Sequence, residues 1–305
     1  MTLVRELNNN VAEILNSQTE HRKVKQTTLR EMLWNWGPVA RYPPRLASTL
    51  DEMLNGKILN EGFEIGKLGE FLSNTGNGTI GNPRAFRGRF ITENMLENSN
   101  GPYKFLYEAG SDVLDCMHLR SDYRMKRYIL SGSNSESVNI NVGHIVVPEA
   151  LRLNTMPTIA SFTPDNVFSG VPYSVTTRDV RIDKALVAWL NSVFGMLMLR
   201  TFFSTVAGNF GHIRGWHIRS WPIPDLSNAD LVQKLEKIFD EYSGVKWRTI
   251  PNQLSEGSIN RDSNRRRFDA AIIEAICPTI DKDKVSNEFR GIYSSLLSTI
   301  ADEPS

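Results

Sequence analysis

Apolar residues recur at helical spacing near the start of the chain. In the stretch VRELNNNVAEILNSQ the apolar positions are Val4, Leu7, Val11, Ile14 and Leu15. A one-sided stripe of this kind is typical of an amphipathic helix. The stretch PPRLASTLDEMLNGKIL predicts another helix, which starts at a proline and ends near Gly56. These patterns predict a helical N-terminal arm over residues 1–60.

The pattern changes after Phe63. Short segments with strand character follow, separated by turn residues: YKFLYEA, RYILSG, VNINVGHIVVPE, TIASFT and YSVTT. In the third segment Val138, Ile140 and Val142 alternate with polar residues, which is the period of a half-buried strand. We therefore expect residues 61–226 to form an irregular, mainly antiparallel β domain.

A long apolar run, ALVAWLNSVFGMLML, covers residues 185–199. It is shorter than the roughly 20 residues of a membrane span, and Asn191 and Ser192 interrupt it. The run therefore predicts a buried helix, capped by Asp183 and ended by Gly208. Helical periodicity returns after WPIPDL and predicts a C-terminal helical region over residues 227–305. Together these elements predict the α+β class.

Charge and cysteine content narrow the possible functions. The formal net charge is +1, so a nucleic-acid-binding protein of this composition needs a localised basic face. Residues 178–219 contain six basic and two acidic residues, and residues 120–128 contain four basic residues and one acidic residue. Residues 225–256, by contrast, contain four basic and six acidic residues. Cys116 and Cys277 suggest no disulfide framework and no CxxC metal pair, which fits a reducing, cytoplasmic compartment. No export signal is recognisable at the N-terminus.

The stretch GNFGHIRGWHIRSWPIPD, residues 208–225, is dense in histidine, arginine and tryptophan. Its alternation of apolar and polar positions predicts a strand with a bulge at Gly215. In such a strand the histidine and arginine side chains face outward, and Trp216 and Trp221 anchor the core.

Three chemistries are open for this stretch. A metal site needs three or four ligands, and only His212 and His217 are close in sequence here. Acid–base catalysis by either histidine lacks a nucleophile motif beside it, since GxSxG and SxxK are both absent. Contact with a polyanion agrees with the surrounding basic charge, although solvated strand faces give similar charge counts.

Four stretches in fixed order carry a resemblance to a known family: SNTGNGTIGNPRAF, MHLRSDYRMKRY, HIVVPEALRLNTMPTIASFT, and ALVAWLNSVFGMLMLR with IRSWPIPDL. They resemble, in turn, the glycine–asparagine loop, the basic segment, the strand pair and the Leu-Asn-Ser helix with its Pro-Ile-Pro exit in target recognition domains. These domains belong to adenine-N6 DNA methyltransferases of restriction–modification systems and to type I specificity subunits. The segment RRRFDAAIIEAI resembles the Arg-x-x-x-Asp helix that closes many such enzymes. The resemblance covers about residues 60–300.

The chain departs from that family in its catalytic motifs. The family carries a glycine-rich S-adenosylmethionine loop and an Asn/Asp-Pro-Pro-Tyr/Phe motif, which TGNGTIGNP and RYPPRL do not match. About 60 residues before the β domain are too few for a doubly wound cofactor domain. The resemblance therefore implies a chain without its own cofactor, which does not methylate alone. Its expected partners are double-stranded DNA and a methyltransferase subunit that binds S-adenosylmethionine, with a nuclease subunit where cleavage accompanies methylation; no membrane partner is expected.

The resemblance also implies where DNA is contacted. A major-groove reader presents polar side chains from a rigid scaffold, and Asn191 and Ser192 are expected to hydrogen-bond within that scaffold. The expected DNA-binding residues are Asn77, Asn82, Arg84, Arg87, Arg89, Arg120, Tyr123, Arg124, Lys126, Arg127, Arg178, His212, Arg214, His217 and Arg219.

The expected function is sequence-specific recognition of double-stranded DNA, as the specificity part of a methyltransferase or restriction–modification assembly that acts in phage defence. One alternative is a catalytically silent remnant or decoy of such an enzyme. Another is an enzyme that uses His212 or His217 in a metal or acid–base site.

Overall fold

The computed structural model describes residues 44–58, 61–76, 78–81, 95–101, 103–106, 114–119, 125–130, 142–202, 204–206 and 210–301. Its helices are α1 (Pro44–Leu54), α2 (Leu68–Thr75), α3 (Val180–Asn191), α4 (Val193–Phe202), α5 (Gly215–Arg219), α6 (Ala229–Tyr242), α7 (Ile250–Ile259), α8 (Asn264–Ile276) and α9 (Lys282–Ala301). Its strands are β1 (Lys57–Ile58), β2 (Glu61–Gly62), β3 (Ile65–Lys67), β4 (Thr79–Ile80), β5 (Met95–Glu97), β6 (Tyr103–Leu106), β7 (Met125–Leu130), β8 (Gly143–Val147), β9 (Ala150–Leu151), β10 (Ser161–Ser169), β11 (Tyr173–Thr176), β12 (Ser204–Val206), β13 (Phe210–His212) and β14 (Pro222–Pro224). This content confirms the α+β class, and the domain boundaries stay a prediction.

A seven-stranded sheet runs in the order β4-β11-β8-β10-β6-β7-β5. Neighbouring strands are antiparallel, except β10 and β6, which run parallel. Smaller sheets are formed by β12-β13-β9, by β1-β2 and by β14-β3. The last of these pairs the Pro-Ile-Pro segment with residues 65–67, so it joins distant parts of the sequence.

The apolar run that was predicted as one helix forms two. α3 ends at Asn191, and α4 begins at Val193 after a bend of 78°. Ser192 makes the break, because its backbone is extended and its Oγ accepts a hydrogen bond from the Gly195 N–H at 3.1 Å. A Cβ atom on Gly195 would lie 2.4 Å from the carbonyl oxygen of Trp189, so this turn requires glycine.

The start of α3 also differs from the prediction. Its N-cap is Asp179, whose carboxylate accepts the Arg181 N–H at 2.9 Å. Asp183, the predicted cap, is buried and accepts hydrogen bonds from Thr176 Oγ1 at 2.9 Å and from the Thr177 N–H at 2.6 Å. Burial raises the pKa of Asp183, and these hydrogen bonds oppose the rise. Asp183 therefore ties α3 to β11 instead of starting the helix.

Asn191 holds α3 to the chain that leads into β10, which confirms its expected scaffold role. Its Oδ1 accepts the Ile159 N–H at 2.7 Å. Its Nδ2 donates to the carbonyl oxygens of Ala160 at 2.7 Å and Val187 at 2.9 Å. The side chain is buried and its amide is paired on both sides, so it has no group left for a base edge.

Among the described residues, no single helix has the length and apolarity needed to cross a membrane. α3 and α4 reach that length and composition only as a pair, with the 78° bend between them. Residues 185–199 are buried and contribute to one large apolar core together with side chains of α1, α6, α8 and α9.

Candidate nucleic-acid interface

The histidine- and arginine-rich stretch forms a strand, a short helix and a second strand. β13 ends at His212, α5 begins at Gly215 and β14 begins at Pro222. The prediction of one strand with a glycine bulge is therefore wrong. The backbone N–H of Arg214 donates to Nδ1 of His217 at 2.9 Å, and this side-chain contact across the start of α5 stabilises the turn.

The helical turn exchanges two of the expected side-chain positions. Trp216, predicted inside, has 64% of its surface exposed, whereas His217, predicted outside, is 2% exposed. Trp221 is buried as predicted. The reason is geometric: successive side chains alternate in a strand but turn by about 100° per residue in a helix.

His217 is a neutral side chain of the interior. Burial lowers its pKa to about 4, the charge of Arg214 acts in the same direction, and a hydrogen bond with the backbone of His212 opposes both. Because Nδ1 accepts the Arg214 N–H, the neutral tautomer carries its proton on Nε2. The side chain of His217 is therefore not exposed for the DNA contact that the sequence predicted.

Two arginines and an aromatic ring lie together around α5: Arg214, Trp216 and Arg219, named the α5 surface below. Trp216 and Arg219 are exposed and three positions apart, so they share one side of the helix. Arg214 is half-buried and directly precedes the helix. Neither arginine forms an ion pair with a residue that the structure describes. Such a group can contact phosphates and make polar or apolar contacts with the bases of a duplex.

The α5 surface is held in place by α2 and β11. A Cβ atom on Gly69 of α2 would lie 2.9 Å from Cβ of Arg219, so the two helices touch through their backbones. A Cβ atom on Gly215 would lie 3.7 Å from the ring of Tyr173 in β11. The short helix therefore packs against α2 and against the side chain of Tyr173 in β11.

His212 lies in β13, beside the α5 surface. It is half-buried and pairs with Ser204 of β12 and Ala150 of β9. Its Nδ1 is buried and has no hydrogen-bond partner in the described part of the chain. The predicted outward orientation is thus realised only in part.

The basic residues of β7 are paired with carboxylates. Nζ of Lys126 lies 2.7 Å from the carboxylate of Glu97, and this hydrogen bond raises the pKa of Lys126. Nη2 of Arg127 lies 3.3 Å from Oδ1 of Asp165, whose other oxygen contacts Nζ of Lys104. The positive charge that β7 offers to a ligand is therefore smaller than the sequence suggests.

The β7 cations and the α5 surface lie in different parts of the sheet. α5 contacts β11, and β7 is four positions further along the strand order. Neighbouring strands lie about 4.8 Å apart, so β7 and β11 are separated by about 19 Å across the sheet. The structure therefore does not bring these two sets of predicted residues into one patch.

Arg178 lies in the turn between β11 and α3, and its side chain is exposed. Its φ of 69° is in the left-handed region, which costs a residue with a side chain about 1–2 kcal/mol. Its N–H donates to Oγ1 of Thr176 at 3.0 Å, which helps to hold this conformation.

Charge that is segregated in the sequence is partly neutralised in the fold. Lys184 of α3 lies 3.5 Å from Glu236 and 2.9 Å from Asp240, both on the acidic helix α6. Arg181 pairs with Asp179 at 3.2 Å. At least two of the six basic residues in 178–219, Arg181 and Lys184, therefore have carboxylate partners within the protein.

The remaining expected DNA-binding residues lie outside the described ranges: Asn77, Asn82, Arg84, Arg87, Arg89, Arg120, Tyr123 and Arg124. Within those ranges no three His, Cys, Asp or Glu side chains are grouped as metal ligands. The exposure of Trp216 was not predicted from the sequence. Its position three residues before Arg219 could have indicated a shared exposed side of a helix.

No protein-family model and no curated protein matches the chain. Its fold is similar to that of a type IIG restriction endonuclease of known crystal structure, with a TM-score of 0.53 and 13% sequence identity. That enzyme is BpuSI, and the similarity covers 96% of this chain but 38% of BpuSI. The chain thus spans less than two fifths of the enzyme's length and has a fold similar to part of that restriction endonuclease.

Proposed function

We propose that this protein recognises double-stranded DNA as the specificity part of a restriction–modification assembly, with the chemistry carried out elsewhere. One observation carries the proposal: the α5 surface places two arginines and an exposed tryptophan on a scaffold whose fold is similar to part of a restriction endonuclease. Phosphate contacts by arginine position a protein on DNA, and contacts to bases give sequence preference.

The reacting groups are expected on a partner. In a methylating assembly the partner subunit would bind S-adenosylmethionine and transfer its methyl group to adenine. The role of this chain would be to place the DNA through Arg214, Trp216 and Arg219. An enzyme based on His217 is a weaker candidate, because that imidazole is buried and its pKa is lowered to about 4.

The test is a selection of bound duplexes from a randomised DNA library with the full chain. A specificity protein should enrich a consensus and bind it more tightly than scrambled DNA, with affinity that falls steeply as salt rises. Arg219→Gln should weaken binding and reduce the slope of log K against log salt by about 1. Trp216→Ala should weaken binding with little change in that slope, because it removes an apolar contact with the duplex rather than a charge.

Arg248→Gln is the matched control, since Arg248 is an exposed arginine in the loop between α6 and α7. The proposal fails if the selection enriches no sequence with the full chain alone and again enriches none when a methyltransferase subunit encoded beside it is added. It also fails at residue level if Arg219→Gln and Arg248→Gln have the same effect. If the chain binds a consensus sequence but that subunit does not methylate DNA in its presence, the chain is a catalytically silent remnant.

A further inference from the structure

Three arginines converge on a cavity in the C-terminal helical region, far in sequence from the α5 surface. The cavity measures about 230 Å³ and is lined by Ser258, Ile259, Arg261, Arg266, Asn287 and Arg290. It lies where the end of α7, the start of α8 and one side of α9 meet. A space of about 10–15 Å³ holds one water, so this cavity has room for a small polyatomic ion.

Of the described residues that line the cavity, three are arginines and none carries a carboxylate. The three guanidinium groups donate hydrogen bonds and cannot accept them, and the amide of Asn287 can donate, whereas the hydroxyl of Ser258 already donates to the carbonyl oxygen of Ser255 at 2.8 Å. Asp262, the acidic neighbour of Arg261 in sequence, does not line it. Arg261 and Arg290 form no ion pair with any residue in the described ranges. The positive charge of these two side chains is therefore available to a ligand.

Arg266 forms a fixed part of the wall. It is 5% exposed, and its Nη1 donates to the carbonyl oxygen of Gly257 at 2.9 Å. A Cβ atom on Gly257 would lie 2.7 Å from the ring of Tyr293, so α7 and α9 approach closely at this wall. Burial lowers the pKa of Arg266, the interaction with Tyr293 opposes this, and the charges of Arg261 and Arg290 lower the pKa further. The like charges are thus close enough to repel one another.

The helix ends around the cavity act in opposite directions. Arg266 lies in the first turn of α8, which has 13 residues and no acidic residue in that turn, so the positive end of its dipole is near the cavity. The last turn of α7 brings a negative end at Ser258 and Ile259. The net field is set by the three guanidinium groups, which carry full charges.

We propose that this cavity is a binding site for a phosphate group. Guanidinium groups present pairs of donors whose geometry matches phosphate oxygens, and a dianion would relieve the repulsion among the three arginines. The group could belong to a free phosphate compound or to the backbone of DNA, and the two sources share this chemistry.

The experiment is titration of the full chain with inorganic phosphate at constant ionic strength, followed by calorimetry and by the thermal unfolding midpoint. The test variant is the double substitution Arg261→Gln and Arg290→Gln, which leaves the buried Arg266 in place. The control is Arg267→Gln, an exposed arginine of α8 that bonds to Asn264 and does not line the cavity. Phosphate should saturate a site on the wild type and on the control, with affinity reduced at least about tenfold in the double variant.

A second readout separates binding from a structural role. Without phosphate, the double variant should unfold at the same temperature as the wild type or higher, because it removes like charges. With phosphate, the wild type should gain in midpoint relative to the double variant. The inference is overturned if phosphate fails to saturate the wild type, or if the double variant and Arg267→Gln respond equally, as a general salt effect would require.

A third arm identifies the source of the phosphate group. If it belongs to DNA, the double variant should weaken binding to a 20-base-pair duplex and reduce the salt slope by about 1–2. If it belongs to a small molecule, duplex binding should be unchanged while the phosphate response is lost. The phosphate titration uses no DNA, so failure of this inference and failure of DNA recognition by the α5 surface are distinguishable.

Discussion

Nη1 of Arg265 donates to the backbone carbonyl oxygen of Asn191 at 2.8 Å, across 74 positions of sequence. The contact joins the C-terminal helical region to the end of α3, where the chain bends. Arg265 also pairs with the fully buried Asp269, whose Oδ1 accepts the Val193 N–H at 2.9 Å and whose Oδ2 accepts the hydroxyl of Tyr293 at 2.6 Å. Two motifs that are separate in sequence, Leu-Asn-Ser and Arg-x-x-x-Asp, thus form one buried network at the bend.

Removal of one partner from this buried network should lower the stability of the folded protein. Arg265→Met leaves the carboxylate of Asp269 buried without its counter-charge, and we expect the free energy of unfolding to fall by about 3–5 kcal/mol. Urea unfolding followed by circular dichroism measures the change. Arg267→Met on the exposed side of the same helix is the control and should stay within about 0.5 kcal/mol of wild type. Similar losses in the two variants would contradict a special role for the pair.

Asn191→Ala should destabilise the protein without altering DNA preference. The substitution leaves the Ile159 N–H and the Ala160 carbonyl oxygen buried and unpaired, which we expect to cost about 2–4 kcal/mol. Denaturant unfolding tests the stability, with Asn74→Ala on the exposed end of α2 as the control. Duplex selection with the folded variant should return the wild-type consensus, and a changed consensus would make Asn191 a base reader after all.

The two tryptophans around α5 should respond in opposite ways. Trp221→Ala opens a cavity in the core and should cost about 3–5 kcal/mol of unfolding free energy. Trp216→Ala removes an exposed ring and should change the stability by less than about 0.5 kcal/mol. The comparison requires only thermal or denaturant unfolding of the two variants. Equal destabilisation would place Trp216 in the core and remove the aromatic group from the α5 surface.

His217 should make stability depend on pH in a defined window. Its pKa is lowered from 6.5 to about 4 by folding, so below pH 6.5 the unfolded chain binds a proton that the folded protein excludes. The stabilisation is therefore present above pH 6.5, falls as pH decreases, and is lost below about pH 4, with an upper limit of about 3.4 kcal/mol.

The difference between wild type and His217→Asn isolates this contribution from other titrating groups. Asparagine can still accept the Arg214 N–H but does not titrate, so the stability of the wild type relative to the variant should fall as the pH decreases from 7.5 to 4. A constant difference across that range would mean that His217 is protonated as readily in the folded protein as in the unfolded chain.

The sequence by itself determined the features that depend on local pattern. The α+β class, the burial of residues 185–199 and the scaffold role of Asn191 follow from periodicity and from the cost of burying an amide without partners. The helix ending at Leu54 before Gly56 follows in the same way, since glycine permits the positive φ found there.

Tertiary structure alone decided which of several compatible patterns was realised. The pattern of residues 213–219 is compatible with both a bulged strand and a short helix, and the helix that forms packs closely against Gly69, 150 positions before Arg219. Charges that are separated in sequence, such as Lys184 and Asp240, cancel because α3 packs on α6. Pairing across the fold sets these outcomes, because the free energy of burial depends on neighbours that are adjacent in space and distant along the chain.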